Sequence, residues 1–481
     1  MLNNTLFILL SHWVVVGMLG LYVMTNMQWY SYKINRVILH HHKVSWHLLY
    51  FVLPFAAYHL VAALYFWVYL YVVALPLFVV WYRKLDKPLQ FTWRVRRFFM
   101  VLALFTAMGE FICYATQGCA QYPLFFPLVF ALGVSHAIER FLFVGFQKEA
   151  IAKLERMKNM KVVAITGSYG KTSMKNFIVQ LLSKRYKVYA TPGNVNTYAG
   201  IVRDINTSLP NDTQIYIVEA GARERGDILE IAQLVEPHIA VVGKVGPQHI
   251  EYFKTLDNII RTKLELIQSR RLEKAFVHAS VTNEPHELVT FFGENISNVT
   301  THLGGISFDV TLDKERFSFH SKVLGSFQAI NITAAIMVAR FLRVDMDKIT
   351  QAVETLHPVP HRLERIDTGL KTILDDSYNS NFEGMMEAIA LAAEFQGRKV
   401  IVTPGLVEST TELNHEVAMR INEVFDVVII TGKLNAALYD TIIEKPFKIL
   451  LGDKSHLEQI LQNSTQEGDL ILFANDAPNF I

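Results

Sequence analysis

The chain has 481 residues, 51% of them hydrophobic, with 46 Lys/Arg against 44 Asp/Glu and a formal net charge of +2. That length predicts two or three domains, and nothing in the near-balance of charge points to a nucleic-acid-binding surface. The two cysteines, Cys113 and Cys119, both fall in the apolar first third, so no cysteine-ligated metal site is expected.

The balance hides a division. Residues 1–150 hold eleven Lys/Arg and four Asp/Glu, whereas the remainder holds 35 and 40. Residues 5–25 are apolar and uncharged, long enough to span a bilayer. They lack a charged start and a small-residue cleavage site, which predicts a retained anchor. Trp46 to Tyr82 carries no charge for 37 residues. One helix of that length would reach ~55 Å against a ~30 Å hydrocarbon core, so two spans turning near Tyr58–Ala62 are expected. Residues 98–117 and 122–138 add two more. The basic loops (Lys33, Arg36, Lys43; then Arg83, Lys84, Lys87, Arg94, Arg96, Arg97) are consistent with the positive-inside rule only for five spans, an external N-terminus and a cytoplasmic remainder. Glu110 would lie within a span with no partner charge evident, and reads as an interfacial or helix-facing acid. Lys148 to Met160 reads as a charged linker helix.

The apolar run Lys161–Ile165 then leads into Thr166-Gly167-Ser168-Tyr169-Gly170-Lys171-Thr172-Ser173 and a helical stretch. Strand, glycine turn, lysine, hydroxyl and helix form the layout of a phosphate-binding loop. Backbone N–H groups, the helix N-terminus and the lysine supply positive charge, and Thr172 is placed to hold Mg²⁺. The loop is more compact than the general pattern, because Ile165 stands where the first glycine would be. Further along, Pro192-Gly193-Asn194-Val195-Asn196 reads as a substrate-facing turn. A strand at Gln214–Val218 ends in Glu219, a carboxylate at the C-terminal end of a strand, where ligands bind in α/β folds. A second strand, Ile239–Val242, leads to His249, and a helix carries Lys263. Alternating strands and helices predict an α/β domain with a mostly parallel sheet. From Leu363 a smaller α/β unit is expected, with strands at Thr372–Leu374, Lys399–Thr403, Val427–Thr431 and Leu470–Phe473.

As an ordered set, Thr-Gly-Ser-Tyr-Gly-Lys-Thr-Ser (166–173), Thr-Pro-Gly-Asn-Val-Asn (191–196), Glu-Ala-Gly-Ala (219–222), Val-Gly-Pro-Gln-His-Ile-Glu (245–251), Asn-Ile-Thr-Ala-Ala from Asn331, Pro-Val-Pro-His-Arg-Leu-Glu around Arg362, and Asp-Asp-Ser-Tyr-Asn-Ser-Asn (375–381) resemble the Mur ligases, ATP-dependent amide-bond-forming enzymes of peptidoglycan assembly. The chain is most similar to the branch that adds D-alanyl-D-alanine to a UDP-MurNAc-tripeptide. The resemblance implies ATP, two Mg²⁺ and a carbamylated Lys263 as cofactors. It assigns Gly167, Ser168, Gly170, Lys171, Thr172, Ser173, Asn331, Arg362 and Asp376 to ATP; Thr172, Glu219, His249 and Lys263 to metal; and Lys171, His249 and Lys263 to catalysis. Asn194, Asn196, Asn379 and Asn381 are expected to face substrate.

The implied architecture is a transmembrane helical region (1–147), a linker helix (148–160), a central ATP-binding P-loop domain (161–360) and a Rossmann-like C-terminal domain (361–481). The membrane region stands where typical members carry a UDP-sugar-binding domain. Phe382 replaces the usual proline, Phe327-Gln328 stands near the place of the family's His-Asn pair, and Ala474-Asn475-Asp476-Ala477-Pro478 replaces an expected Lys-Gly-Ser-type segment. Expected partners are the two small-molecule substrates, membrane lipid and other membrane-bound peptidoglycan enzymes, at the bacterial inner membrane. Two alternatives compete: the same chemistry on a different or lipid-linked acyl donor, and a transporter or scaffold with a nucleotide-binding domain.

Overall fold

The computed structural model describes residues 2–476, apart from 31, 40–42, 86, 117–124, 248–249, 283, 285, 379–380, 408, 445 and 453. It divides into two compact units, Met1–Gln147 and Lys148–Ile481.

The first unit is helical. Leu6–Trp29, Ala63–Arg83, Trp93–Ala115 and Phe126–Arg156 are long and apolar enough to cross a membrane. The expected turn falls where Val61 and Ala62 are extended, with ψ 143 and 141. The helix before it, Val44–Leu60, is shorter than these four. At 1.5 Å per residue it reaches only ~25 Å of a ~30 Å core. Among the described residues four helices therefore meet the length of a span, not the five expected. Leu19, Leu70, Val95 and Ala131 are fully buried between helices, while Leu60, Leu64, Leu104 and Phe111 point outward. Glu110 has partners that the sequence did not reveal. Trp13 Nε1 donates to its Oε2 at 2.9 Å, and His12 Nδ1 lies 3.7 Å from its Oε1.

The second unit holds two sheets that run mainly parallel. In the first, β1 (Lys161–Thr166), β2 (Val188–Ala190), β3 (Ile215–Glu219), β4 (Ile239–Val242), β5 (Lys274–His278) and β6 (Val289–Phe292) lie in the order β2-β3-β1-β4-β5-β6, all parallel. The strands are almost continuously buried, as a sheet covered on both faces requires. After β3 the chain crosses over β1 to reach β4, so the strand order reverses around β1. Ligand crevices form at the C-terminal ends of strands flanking such a point. The helix Lys171–Leu182 buries Met174, Phe177, Ile178 and Leu181 against this sheet, each worth about 1.5–3 kcal/mol. The helix Gln328–Phe341 is apolar nearly all round and packs beside it.

A three-stranded antiparallel sheet, β7 (Ile296–His302), β8 (Gly305–Leu312) and β9 (Glu315–Ser321), was not expected from the sequence. The last sheet contains β10 (Glu364–Asp367), β11 (Thr372–Asp376), β12 (Lys399–Thr403), β13 (Val427–Thr431), β14 (Phe447–Leu451) and β15 (Leu470–Ala474), in the order β10-β11-β15-β12-β13-β14. Only β10 is antiparallel, which makes the sheet mixed. The four expected strands are β11, β12, β13 and β15; β10 and β14 extend the sheet at its edges.

Candidate active site

Strand β1 delivers the glycine turn to the centre of the crevice. Gly167 and Gly170 have φ +154 and +75, and Gly170 caps the helix that begins at Lys171. A Cβ at Gly170 would stand 2.3 Å from Asn331 Oδ1, so the Asn331 amide would have to move, and the left-handed φ itself favours glycine. Asn331 reaches this place because its helix packs on the loop's own helix, and its amide donates to Gln328 Oε1 at 2.8 Å. Ser168 is fixed from the other side: its Oγ donates to Gly246 O at 3.0 Å and its N–H to Lys244 O at 3.0 Å.

Lys171 turns back over the loop and donates to Gly167 O at 2.9 Å and Ser168 O at 3.1 Å. Desolvation lowers its pKa, opposed by the nearby Glu219 carboxylate and reinforced by Arg362. Those two influences place one residue of β3 and one of the domain junction within electrostatic reach of the loop lysine.

Glu219 is the meeting point. It ends β3 level with Ile165 in β1 and is buried. Thr172 Oγ1 donates to its Oε2 at 3.1 Å, Lys175 Nζ lies 3.2 Å from the same oxygen, and Asn196 Nδ2 donates to its Oε1 at 3.2 Å. A hydroxyl and a carboxylate held together supply the hard oxygen donors that Mg²⁺ takes, so this donor set fits the ion. Ser173 is buried at the start of the helix.

Lys263 lies in the helix Leu256–Leu264 and is also buried. Desolvation and then the positive charge of Lys171 push its pKa down to about 7, with Asp227 and Glu265 opposing. That shift favours the neutral amine, the state in which nitrogen is nucleophilic.

Arg362 follows His361 at the junction with the last domain, where His361 and Leu363 both have left-handed backbone, φ 65 and 53. Asp376 ends β11 and is buried. Asn194 is exposed. Asn381 caps the helix Phe382–Ala393, its Oδ1 accepting from Gly384 N at 2.8 Å. His249 and Asn379 lie outside the described residues.

Sequence reasoning passed over Lys175 and the His361–Asp375 pair. Lys175 stands four residues after Lys171, one helical turn along the same face; that spacing was the available signal.

Two family models align with this unit: a Mur ligase middle domain over residues 165–339 and a Mur ligase, glutamate ligase domain over residues 361–475. The chain belongs to the Mur ligase family. Among its relatives is the UDP-N-acetylmuramoyl-tripeptide–D-alanyl-D-alanine ligase of Bacillus subtilis (strain 168), 26% identical over 350 residues, covering 68% of this Mur ligase and 76% of that one. The enzyme of the same name from Escherichia coli (strain K12) is 26% identical over 282 residues, 55% of this chain and 62% of that one. Thus the chain spans less than two thirds of the E. coli relative's length. Of solved structures, the MurF ligase of Thermotoga maritima in complex with ADP is 26% identical, with a TM-score of 0.58 over 69% of this chain and 80% of that one. An Acinetobacter baumannii MurF, 22% identical with a TM-score of 0.60 over 69% of this chain and 77% of that one, shares the fold.

Proposed function

We propose that this Mur ligase uses ATP to join D-alanyl-D-alanine to the carboxyl end of a UDP-N-acetylmuramoyl tripeptide, releasing ADP and phosphate, in peptidoglycan precursor synthesis. The activities for which its relatives are named support the substrates. The observation that carries the chemistry is the convergence on Glu219 of Thr172, Lys175 and Asn196 beside Lys171.

A carboxylate is a poor acyl donor. Moving the γ-phosphoryl group onto one of its oxygens makes an acyl phosphate; the dipeptide amine then attacks the acyl carbon and phosphate leaves. Negative charge gathers on the phosphoryl oxygens during the first step, and bound Mg²⁺ would neutralise part of it. In this reading the Gly167–Gly170 turn, Ser168, Ser173 and Lys171 cradle the phosphates, and Thr172 and Glu219 hold one metal. Lys263 attacks CO₂ through its neutral amine and loses a proton, which gives a carbamate able to serve a second metal with His249. Asn331, Arg362 and Asp376 contact the nucleotide. Asn194, Asn196, Asn379 and Asn381 face the peptide substrates. The apolar helical unit anchors the enzyme in the inner membrane, with its catalytic domains in the cytoplasm near membrane-bound enzymes that consume the product. The same helices favour a second reading, in which the acyl donor is lipid-linked.

Full-length protein in detergent, supplied with ATP and Mg²⁺, tests this. Phosphate release is expected only when the muramyl tripeptide and D-alanyl-D-alanine are both present. Turnover with a lipid-linked donor alone would favour the second reading. ATP hydrolysis indifferent to both peptides would overturn both.

A further inference from the structure

Lys175 makes three contacts from a buried position. Its Nζ lies 2.9 Å from Thr191 O, 2.7 Å from Gly193 O and 3.2 Å from Glu219 Oε2. An ammonium carries three protons, and three acceptors stand within reach. The lysine side chain is 4% exposed and that of Glu219 3%. A buried ion pair is seldom more stabilising than well-packed apolar residues of the same volume, so stability alone is a poor reason for this one. What distinguishes it is where its contacts lead. Two acceptors are backbone carbonyls of the segment that runs into Asn194 and Asn196; the third is the candidate metal-binding carboxylate. Asn196 completes the ring by donating to the other oxygen of Glu219 at 3.2 Å. Loop and carboxylate are therefore tied at both ends.

We propose that Lys175 is a positioning residue that fixes the 191–196 segment and Glu219 in one relation, so that the metal–phosphate site and the substrate-facing loop are set together. This rests on the reading above of Glu219 as a metal ligand and of 191–196 as facing substrate. A compact ammonium serves two carbonyls and a carboxylate arranged around a point, whereas a planar guanidinium presents its donors in a fixed fork. Arginine therefore does not substitute.

The test uses the full-length protein in detergent as wild type, K175M, K175R and the double variant K175M/E219Q, which leaves neither buried charge unpaired. Amide hydrogen exchange is read across residues 191–196 and across β1, and Mg²⁺–ADP binding is measured by calorimetry. In K175M, exchange in 191–196 should quicken by tenfold or more while β1 stays protected. Mg²⁺–ADP affinity should fall by roughly tenfold to hundredfold, the scale of lost hydrogen bonds to charged groups. K175R should restore neither. Wild-type exchange and affinity in K175M, or in K175R, would overturn the proposal. If K175M unfolds, the double variant decides, because slow exchange of 191–196 there would also overturn it. None of these readouts needs turnover, so wild-type protein that makes no amide bond counts against the ligase reading and leaves Lys175 to be judged separately.

Discussion

His361 Nδ1 lies 2.7 Å from Asp375 Oδ2 and so fastens the turn that carries Arg362 to the first long strand of the last domain. Asp375 is fully buried and also accepts from Ser377 Oγ at 2.6 Å, while Tyr378 N donates back to His361 O at 3.1 Å. These bonds hold His361 and Leu363 in left-handed backbone, which costs a non-glycine residue about 1 kcal/mol or more. The geometry keeps the Arg362 charge near Lys171.

His361→Ala should therefore raise KM for ATP by roughly tenfold, the scale of one lost charged hydrogen bond. His361→Gly relieves the backbone but not the lost contact, so it should recover thermal stability and not KM. Steady-state kinetics and melting curves on both variants check this; an unchanged KM in His361→Ala would count against it.

Gly170→Ala meets two obstacles, a φ of +75 and an Asn331 oxygen 2.3 Å from the new methyl. Loss of nucleotide binding is expected, with destabilisation of about 1–3 kcal/mol. ADP titration followed by fluorescence gives the answer, and wild-type affinity would refute the tight fit.

Lys263→Ala should reduce activity on the order of 100-fold, the upper range for loss of a group that orients a metal. Acetate or formate should restore part of it by supplying the missing carboxylate. Activity unaffected by the substitution would remove Lys263 from the metal site.

His238 supplies a pH dependence. Its Nδ1 accepts from Val162 N at 3.0 Å at the start of β1. Burial, then Arg271 and Lys161, push its pKa down to about 4, with Glu273 opposing. Because the unfolded chain protonates first, near 6.5, stability is full above that pH and is lost as pH falls from 6.5 toward 4. The loss is bounded by about 3 kcal/mol. His238→Asn should flatten the slope of unfolding free energy over this window, and an identical slope would exclude His238 as its source.

Residues 148–481 expressed alone should remain in solution without detergent, whereas the full chain should sediment with membranes and resist alkaline carbonate extraction. Extraction of the full chain by carbonate would argue for peripheral attachment.

The crevice was legible in the sequence because its parts carry local signatures. The glycine turn needs positive φ at Gly170, and the lysine and hydroxyls directly follow it. Glu219 could be read because it ends an apolar strand. The rest depends on pairings that no local pattern reveals. Thr191 and Glu219 lie 16 and 44 residues from Lys175, and Trp13 lies 97 residues from Glu110. The β8–β9 hairpin escaped for a different reason. Its two turn residues, Asp313 and Lys314, have φ 49 and 71 without either being glycine, so the usual hairpin signal is missing. The short helix Val44–Leu60 shows the limit of hydropathy, which reports that a segment is apolar before it reports how far it reaches.

The helix Phe382–Ala393 touches the central domain through carboxylates along and just beyond its length. Glu383 Oε2 is 2.6 Å from Lys244 Nζ, Glu387 Oε2 accepts from Ser326 Oγ at 2.8 Å, and Glu394 Oε2 accepts from Leu303 N at 3.0 Å. Because one rigid rod carries the first two and ends beside the third, they engage and part in concert. A shift of that helix against the segments it touches would therefore strain the first two contacts together, like neighbouring teeth of one clasp.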